Sequence, residues 1–195
     1  MAYDGIHAGR LSLSRLREPF GRPGDLAREN RGSETIAEPF QYRDATNADC
    51  AAVEQLVFDV LAEYGLAAEP EGVDADLRDL EGAYFERGGW FGVWLDENGA
   101  IIGSAGLCKV NDTTCELRKM YLRASARGRG YGNIMIGRAL TEANQRGFVR
   151  IELETAGILK EAIALYEKFG FRRKPLGTHC AKRCDVAMVL DLPTA

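Results

Sequence analysis

Histidine is nearly absent from this sequence, and its scarcity narrows the chemistry that the chain can perform. The 195 residues include only His7 and His179, the first in a loose N-terminal stretch and the second in a predicted late turn. Enzymes most often use histidine as a general acid or base, so catalysis by histidine is not expected here. His179 lies near Cys180 and Cys184, but a fourth ligand is lacking and the spacing matches no common zinc site. No metal site is predicted.

Paired cysteines and long apolar runs are also missing. The chain has 5 cysteines, an odd and scattered set in a protein large enough to form a core without disulfides. This usage is typical of reduced thiols in a cytosolic protein, and Cys108 and Cys115 are expected to be small core residues. No apolar run reaches the length of a membrane span, and the N-terminus lacks a secretory apolar segment. We therefore expect a cytoplasmic protein without a membrane partner.

Neither sign of charge dominates the composition. There are 25 lysines and arginines against 29 aspartates and glutamates, for a net charge of −4. Nothing in this balance calls for a nucleic-acid partner, and none is predicted.

Residues 1–38 differ in composition from the rest of the chain. They contain several arginines but no lysine, show little periodicity, and include helix breakers such as Pro19 and Pro23. We expect this segment to be a disordered extension; a weak apolar pattern at Leu11, Leu13 and Leu16 leaves a docking or targeting element as the alternative. Residues 39–195 are predicted to form one domain.

From Phe40 onward the sequence alternates between strand and helix periodicity. Thr46 and Asp49 form a capping box before a helix that ends at Gly65, and a second helix is predicted over 74–86. Helices are also predicted after the glycines of 128–132 and around 162–169. Strands are predicted over 40–43, 90–95, 100–110, 114–122, 149–154, 171–174 and 184–190. A strand–helix–strand crossover over 114–154 requires a parallel pair, so the sequence predicts a mixed α/β sheet.

A glycine-rich loop, RGRGYGN, occupies residues 127–133 between a predicted strand and a predicted helix. Free N–H groups and the helix dipole make such a helix N-terminus an anion site. The glycines allow close approach of the backbone, and Arg127 and Arg129 add charge-assisted contacts. The spacing is not that of a dinucleotide fingerprint, and no Gly-Lys-Ser/Thr follows. The loop predicts a phosphate or pyrophosphate site, with a tight structural turn as the alternative.

Three motifs in this order resemble the GCN5-related N-acetyltransferase (GNAT) superfamily. Residues 127–132 match its Q/R-x-x-G-x-G/A loop, residues 116–122 look like its central fourth strand, and residues 162–171 resemble its A-x-x-L-Y-x-x-x-G-F segment. One departure is Leu159, where many relatives have asparagine. The resemblance spans about Phe40 to Leu190. It implies a single-domain GNAT fold: a mixed, mostly antiparallel sheet with splayed central parallel strands and helices on both faces.

The resemblance also implies acetyl-coenzyme A (acetyl-CoA) as the co-substrate, without a metal. In the family the loop amides hold the pyrophosphate, and the fourth strand pairs with the pantetheine arm. A main-chain N–H of that strand can polarise the thioester carbonyl. The residues implied to contact the coenzyme are Met120, Tyr121, Leu122, Arg127, Gly128, Arg129, Gly130, Tyr131, Gly132 and Asn133.

Tyr166 and Glu116 are the candidate catalytic residues. Tyr166 occupies the family position that often protonates the departing sulfur, but it also shares an apolar stripe with Leu165 and Phe169, as a core tyrosine would. Glu116 could accept the proton of the amine, directly or through water. Strand alternation puts Glu116, Arg118 and Met120 on one face, so an ion pair between Glu116 and Arg118 is the alternative role.

The resemblance therefore implies an N-acetyltransferase that transfers the acetyl group of acetyl-CoA to a primary amine by direct attack in a ternary complex. A non-catalytic sensor or regulatory module that only binds acetyl-CoA is the alternative. A small-molecule amine, an amino acid and a protein N-terminus all remain open as acceptors. An acidic region over 63–76 could attract a cation, and a basic region over 172–183 could hold a carboxylate, although both read equally well as solvated loops. Family members often pair, which leaves a homodimer open.

Overall fold

One seven-stranded sheet organises the computed structural model, which describes residues 41–177 and 182–193. The strand order is β1-β2-β3-β4-β5-β7-β6, and β4 and β5 run parallel while every other neighbouring pair is antiparallel. This arrangement confirms the predicted mixed, mostly antiparallel α/β sheet. The expectations for residues 1–40, and for His179 and Cys180, lie outside the described residues.

The helices and strands follow the predicted order. The strands are β1 (Gln41–Asp44), β2 (Trp90–Leu95), β3 (Ile101–Lys109), β4 (Thr114–Leu122), β5 (Arg150–Thr155), β6 (Arg172–Lys174) and β7 (Val186–Asp191). The α-helices are α1 (Cys50–Glu63), α2 (Tyr131–Gln145) and α3 (Lys160–Lys168). Short 3₁₀ turns occupy Asn47–Asp49, Ala75–Arg78 and Ala124–Ala126.

The first helix begins and ends at the residues that the sequence indicates. The carboxylate of Asp49 accepts the Thr46 N–H at 2.9 Å, which satisfies one of the backbone donors that a helix start leaves free. The chain then makes one 3₁₀ turn before α1. Gly65 takes a φ of +67° just beyond the helix, a conformation that glycine adopts without the strain of a side chain.

The predicted helix over 74–86 is wrong, because the structure divides this segment into two short turns. A 3₁₀ turn over Ala75–Arg78 and a π-helical turn over Glu81–Phe85 are separated by Asp79, which is extended with φ −149° and ψ 82°. The Asp79 carboxylate accepts the Gly82 N–H and the Asn47 side-chain amide, each at 2.9 Å. Aspartate side chains compete in this way with helical hydrogen bonds. The apolar residues predicted to face the core are nevertheless buried, namely Leu77, Leu80 and Tyr84.

The sheet separates two apolar layers. One layer packs α2 and α3 against the sheet and includes Trp90, Leu117 and Met135. The other packs α1 and the two short turns against the opposite face and includes Leu56 and Phe91. Helices therefore cover both faces of the sheet, as predicted.

A β-bulge interrupts β4 at Lys119. Gly106 pairs with Arg118, and Ser104 pairs with Tyr121, so Lys119 and Met120 together face the single residue between them on β3. Lys119 has a φ of +53°, and no other non-glycine residue in 41–177 or 182–193 has a positive φ. Such a bulge shifts the alternation of side chains by one residue.

The bulge overturns one detail of the sequence reading. Met120 was predicted to share a face with Glu116 and Arg118, but it packs in the α2 layer with Leu117. Arg118 and Lys119 instead point to the same face, and both donate to the Val73 carbonyl, at 3.0 and 2.7 Å. Simple alternation cannot place two consecutive residues on one side of a strand.

The central parallel pair separates part-way along its length. β4 and β5 pair only from Thr114 with Arg150 to Leu117 with Leu153. Beyond Leu117, β4 continues to Leu122, whereas the end of β5 pairs with β7. The described part of β5 therefore offers no ladder partner to residues 118–122, and a gap opens between the strands.

Truncating Leu56, which is fully buried in the α1 layer, tests this core. We expect Leu56→Ala to lower the free energy of unfolding by about 2–5 kcal/mol, because the cavity left behind closes only in part. Val110→Ala is the control, since Val110 is 56% exposed, and we expect a change of only about 0.5 kcal/mol. Urea denaturation measures both. Equal small losses would contradict the described packing of α1.

Candidate active site

A cleft of about 870 Å³ opens where β4 and β5 separate. It runs from the glycine-rich loop at the start of α2, along the second half of β4, to the connections that follow α1 and β6. Every predicted site residue except Arg129 lines it: Glu116, Met120, Tyr121, Leu122, Arg127, Gly128, Gly130, Tyr131, Gly132, Asn133 and Tyr166. Arg129 lies within the loop, and it is exposed. Residues predicted from three separate motifs thus meet in one cavity.

The glycine-rich loop takes a backbone shape that requires glycine. Gly128 and Gly130 have φ angles of +75° and +84°, which strain any residue with a side chain. A Cβ atom at either position would meet nothing within 4 Å, whereas one at Gly132 would lie 3.1 Å from Leu165. Two glycines therefore serve the conformation, and the third serves the packing of α2 against α3.

The N-terminus of α2 faces the cleft without a side-chain cap. Gly130 is the N-cap residue, and no side chain there accepts a hydrogen bond from the first turn. The first amides of a helix have no acceptors inside the helix, and the helix dipole adds positive potential at this end. This part of the cleft is therefore suited to an anion.

Most of the Arg127 side chain is used to fix the loop to the neighbouring elements. Its Nε donates to the Leu122 carbonyl at 2.9 Å, and one terminal nitrogen donates to Glu63 at 2.6 Å. Its second terminal nitrogen is buried without a hydrogen-bond partner in the described part of the chain. The predicted contact with a phosphate thus falls mainly to this terminal NH2 group of Arg127, because Nε and the other terminal nitrogen tie the loop to β4 and α1.

Lys168 is a cation near the loop that sequence reasoning missed. Its Nζ donates to the Asn133 side-chain oxygen at 2.6 Å. The two residues lie far apart in sequence, and only the packing of α3 against α2 brings them together. A lysine in the last turn of a helix carries no local signal of such a role.

Glu116 lies half-buried in the middle of the cleft. Burial raises the pKa of its carboxyl; the charge of Arg118 opposes this effect, and the charge of Glu154 adds to it. The predicted ion pair with Arg118 is present but long, at 3.8 Å. Arg118 lies nearer to the Val73 carbonyl, at 3.0 Å, and to Asp76, at 3.3 Å. Glu116 is therefore only weakly held by its neighbour.

Glu154 is a second carboxylate in the cleft that the sequence reading did not single out. The parallel register places Glu116 beside Glu152, so Glu154, two residues further along β5, lies on the same face of the sheet. It is half-buried and lines the cleft. Among the described residues it has neither a hydrogen bond nor an ion pair. The sequence could have indicated this glutamate. Residues 149–154 alternate as a strand, and combining that alternation with a parallel pairing of β4 and β5 places Glu154 on the same face as Glu116.

The position of Tyr166 is compatible with both of the roles that the sequence left open. Its ring packs in the core at 5.7 Å from that of Phe171, and the residue also lines the cleft. Burial raises the pKa of the Tyr166 hydroxyl well above its ordinary value, and the electrostatic effect of the nearby Tyr121 adds to this shift. The hydroxyl has no hydrogen-bond partner within 41–177 and 182–193. Tyr166 is thus a protonated phenol with a donor to spare.

Four of the five basic residues of the late region are engaged in ion pairs, and the fifth, Lys182, is exposed. Arg172 pairs with Asp191 at 2.5 Å, Arg173 with Glu167 at 3.8 Å, and Arg183 with Asp74 at 2.7 Å. Lys174 pairs with Glu152. These four side chains are not free to hold the carboxylate of a ligand, which weakens that hypothesis from the sequence.

Two features are absent from residues 41–177 and 182–193. No group of three or more histidine, cysteine, aspartate or glutamate side chains is arranged there to hold a metal ion. None of the helices there combines the length and the apolar character that a bilayer crossing needs.

Comparison with known proteins decides the family. The sequence model of the acetyltransferase (GNAT) family matches residues 55–171. The chain belongs to the GNAT family. One relative is YjgM, an uncharacterised N-acetyltransferase of Escherichia coli K12, which is 34% identical over 157 residues, or 77% of this chain and 93% of YjgM.

Solved structures of GNAT proteins share the fold. A GNAT-family acetyltransferase from Staphylococcus aureus Mu50 superposes with a TM-score of 0.74 at 17% identity, covering 79% of this chain and 99% of that one. The acetyltransferase yncA from Salmonella typhimurium, solved with its cofactor acetyl-CoA, gives a TM-score of 0.63 at 24% identity, covering 80% and 95%. At these identities the likeness concerns the fold.

The shape of the loop can be tested by comparing Gly130, the N-cap of α2, with Gly137, which lies inside that helix. We expect Gly130→Ala to lower the free energy of unfolding by about 1–2 kcal/mol, because alanine is strained at positive φ. Gly137 lies inside α2 with open space around a new Cβ, so Gly137→Ala should raise that free energy by about 0.5–1 kcal/mol. Both are measured by urea denaturation, and the same sign for both variants would contradict the described loop.

Proposed function

We propose that this chain is an N-acetyltransferase that transfers the acetyl group of acetyl-CoA to a primary amine by direct attack in a ternary complex. One observation carries the proposal: a single cleft joins the uncapped N-terminus of α2, the unpaired half of β4, Glu116 and Tyr166. An anion site, an edge for an extended arm, a carboxylate and a phenol are the parts that acetyl transfer to an amine requires.

The cleft fits the coenzyme by two features that are independent of the family. One terminal NH2 group of Arg127 is buried without a partner in the described residues, next to the main-chain amides of the glycine-rich loop and the uncapped start of α2. These groups would hold the pyrophosphate. The backbone of Met120 to Leu122 lacks a ladder partner on β5, and an amide-bearing pantetheine arm would supply one. The fold neighbour yncA was solved with its cofactor acetyl-CoA, which supports this choice of coenzyme.

When bound, the coenzyme supplies an acetyl thioester, and the residues of the chain do the rest. A main-chain N–H of β4 beyond Lys119 donates to the carbonyl oxygen as negative charge develops there. Glu116 accepts the proton that the attacking amine loses, directly or through water. Glu154, without a partner among the described residues, is the second carboxylate that can hold the ammonium form of the acceptor near Glu116.

Tyr166 is the proton donor to the departing sulfur in this proposal. Its raised pKa keeps the phenol protonated at neutral pH, so it can donate but not act as a base. Its spare hydroxyl proton has no competing acceptor in the described residues. A thiolate formed in the cleft would provide that acceptor.

The charges around the cleft favour some acceptors over others. Four late basic side chains, those of Arg172, Arg173, Lys174 and Arg183, are held in ion pairs, while the Glu154 side chain has none among the described residues. An amine without a carboxylate therefore fits better than a free amino acid, and small-molecule amines and peptide amines both meet this condition. The expectations of a cytoplasmic location and of a homodimer stay predictions.

Tyr166→Phe removes one hydroxyl and tests catalysis against the sensor alternative. We expect kcat to fall roughly 10²-fold or more, the range for loss of a general acid, with an unchanged Kd for acetyl-CoA. Free thiol release is followed with a panel of amines, and calorimetry gives the Kd.

Tyr42→Phe is the matched control for this variant. Tyr42 lies on β1, where its hydroxyl donates to Asp44 at 2.6 Å, and we expect its loss to leave kcat unchanged. Should the wild-type protein bind acetyl-CoA yet release no thiol above background with any amine, the sensor alternative is supported. A wild-type protein that does not bind acetyl-CoA at all contradicts both functions.

The pH dependence tests Glu116 as the base. A carboxyl group accepts a proton only when ionised, and burial raises the pKa of Glu116. Activity should therefore fall as the pH is lowered through that raised pKa, above the ordinary glutamate value of about 4.3. We expect Glu116→Gln to lower kcat and to remove this limb from the pH profile of kcat.

Glu152→Gln is the control, because Glu152 neighbours Glu116 in the register but is paired with Lys174. The titration of the amine itself is common to all variants and cancels in the comparison. If the acidic limb of the profile persists in Glu116→Gln, Glu116 is not the base and serves only in the ion pair with Arg118. If the limb is instead lost in Glu154→Gln, Glu154 is the base.

A further inference from the structure

A buried cluster of charges in the wall of the cleft takes no part in the mechanism above. It centres on Lys119, Asp74 and Arg183, and the Asp76 carboxylate also lies 3.2 Å from Lys119 Nζ. The side chains of Lys119, Asp74 and Arg183 are 3%, 0% and 10% exposed. The Asp74 carboxylate accepts Lys119 Nζ at 2.6 Å, the two terminal nitrogens of Arg183 at 2.7 and 2.9 Å, and the Glu69 N–H at 2.8 Å. Both oxygens are thus fully engaged, as a buried charge requires.

The cluster joins three segments that wall the cleft. Lys119 belongs to β4, Asp74 to the connection between α1 and β2, and Arg183 to the connection between β6 and β7. Lys119 and Arg183 line the cleft themselves, as does Val73 beside Asp74. Asp74 is the point at which these segments meet.

The ion pair has a direct consequence for the backbone of β4. In an ordinary strand the Lys119 side chain would lie on the face opposite Arg118, within the apolar α2 layer. The bulge instead turns it to the side of Asp74, at the cost of a strained positive φ. The Ser104 hydroxyl donates to the Lys119 carbonyl at 2.8 Å. Asp74 and Ser104 therefore hold the bulged conformation from its side chain and from its main chain.

We propose that Asp74 is a positioning residue for acyl transfer. By holding the Lys119 ammonium it fixes the bulge, and the bulge directs the main-chain N–H groups that follow Lys119 toward the carbonyl oxygen of the thioester. Asp74 touches no reacting atom. The inference rests on the proposed function and adds to it the group that sets the geometry of the oxyanion contact.

Buried ion pairs alone do not establish such a role, because many contribute little net stability. This pair differs in that it holds the one strained non-glycine residue within the described ranges. Lys119 Nζ also lies 3.2 Å from Asp76 and donates to the Val73 carbonyl at 2.7 Å, so loss of the Asp74 charge loosens the bulge without abolishing every contact. A relaxed Lys119 would realign the peptide groups of Met120 and Tyr121 along the open edge of β4. The loss should therefore appear in the polarisation of the substrate rather than in its binding.

The test uses the full-length protein and acetyl-CoA labelled with ¹³C at the acetyl carbonyl. Infrared difference spectra report how far the protein lowers the carbonyl stretching frequency on binding, without any acceptor. We expect a downshift in the wild-type protein and a smaller one in Asp74→Asn. The Kd should stay within about twofold. With an acceptor present, kcat should fall about tenfold or more. This loss is smaller than the roughly 10²–10³-fold that follows removal of an oxyanion donor, because the donor is displaced and not removed.

Ser104→Ala probes the same bulge from the main-chain side and keeps the test valid if Asp74→Asn does not fold. Ser104→Ala should reduce the downshift as well. The double variant Asp74→Asn/Ser104→Ala should lose less kcat than the product of the two single losses, because both residues act on the same bulge. Asp49→Asn is the control, since the buried Asp49 also pairs with an arginine, Arg43, at 2.7 Å, but lies at the start of α1 and does not line the cleft. It should keep the full downshift.

The outcomes separate this inference from the proposed function. A wild-type protein that binds acetyl-CoA with a downshift, while Asp74→Asn and Ser104→Ala show the same downshift, overturns the positioning role alone. Reduced downshifts that Asp49→Asn reproduces would make the effect one of general stability and overturn it too. A wild-type protein without affinity for acetyl-CoA overturns the proposed function itself.

Discussion

The separation of β4 from β5 is the constraint on which the rest of the site depends. If the parallel pairing continued to the ends of both strands, their backbone N–H and C=O groups would bond to each other and no cleft would form between them. Here the ladder ends at Leu117 and Leu153, and five more residues of β4 continue along an open edge. Buried backbone N–H and C=O groups require partners, so this edge is suited to an extended, amide-bearing ligand. The bulge at Lys119 and the loop at Gly128 and Gly130 then shape the two ends of that edge.

The same cleft places ionisable groups in contrasting surroundings. Burial raises the pKa of both Glu116 and Tyr166. Glu116 is therefore a stronger base than an exposed glutamate, and Tyr166 stays protonated at neutral pH. Burial alone would also raise the pKa of Asp74, but the hydrogen bonds from Arg183 and Lys119 outweigh it and bring that pKa below the usual value. A fully paired carboxylate suits a structural tie, whereas a weakly paired one suits proton transfer. The contrast separates Asp74 from Glu116 by environment rather than by residue type.

Sequence patterns predicted the parts of the structure that depend on local periodicity and glycine chemistry. The strands, α1, α2, α3 and the loop of residues 127–133 follow from alternation, helical spacing and positive-φ positions. The segment 74–86 was not predictable in the same way, because the side chain of Asp79 competes with the helical hydrogen bonds and Asn47 supplies a partner from elsewhere in the chain. Glu154 and Lys168 join the site only through strand register and helix packing, which a linear pattern does not contain.

The bulge shows most clearly what a pattern leaves out. Reading β4 as regular alternation assigns Lys119 to the apolar face, where an unpaired ammonium would be expensive to bury. The conflict is itself a signal, because a charged residue at a core position of a strand requires either a buried partner or a change of face. In this chain both occur together: the bulge turns the side chain, and Asp74, 45 residues earlier, receives it. A lysine that contradicts the period of its own strand thus marks the point where the backbone departs from regular geometry, and that departure lies beside the edge on which the proposed chemistry depends.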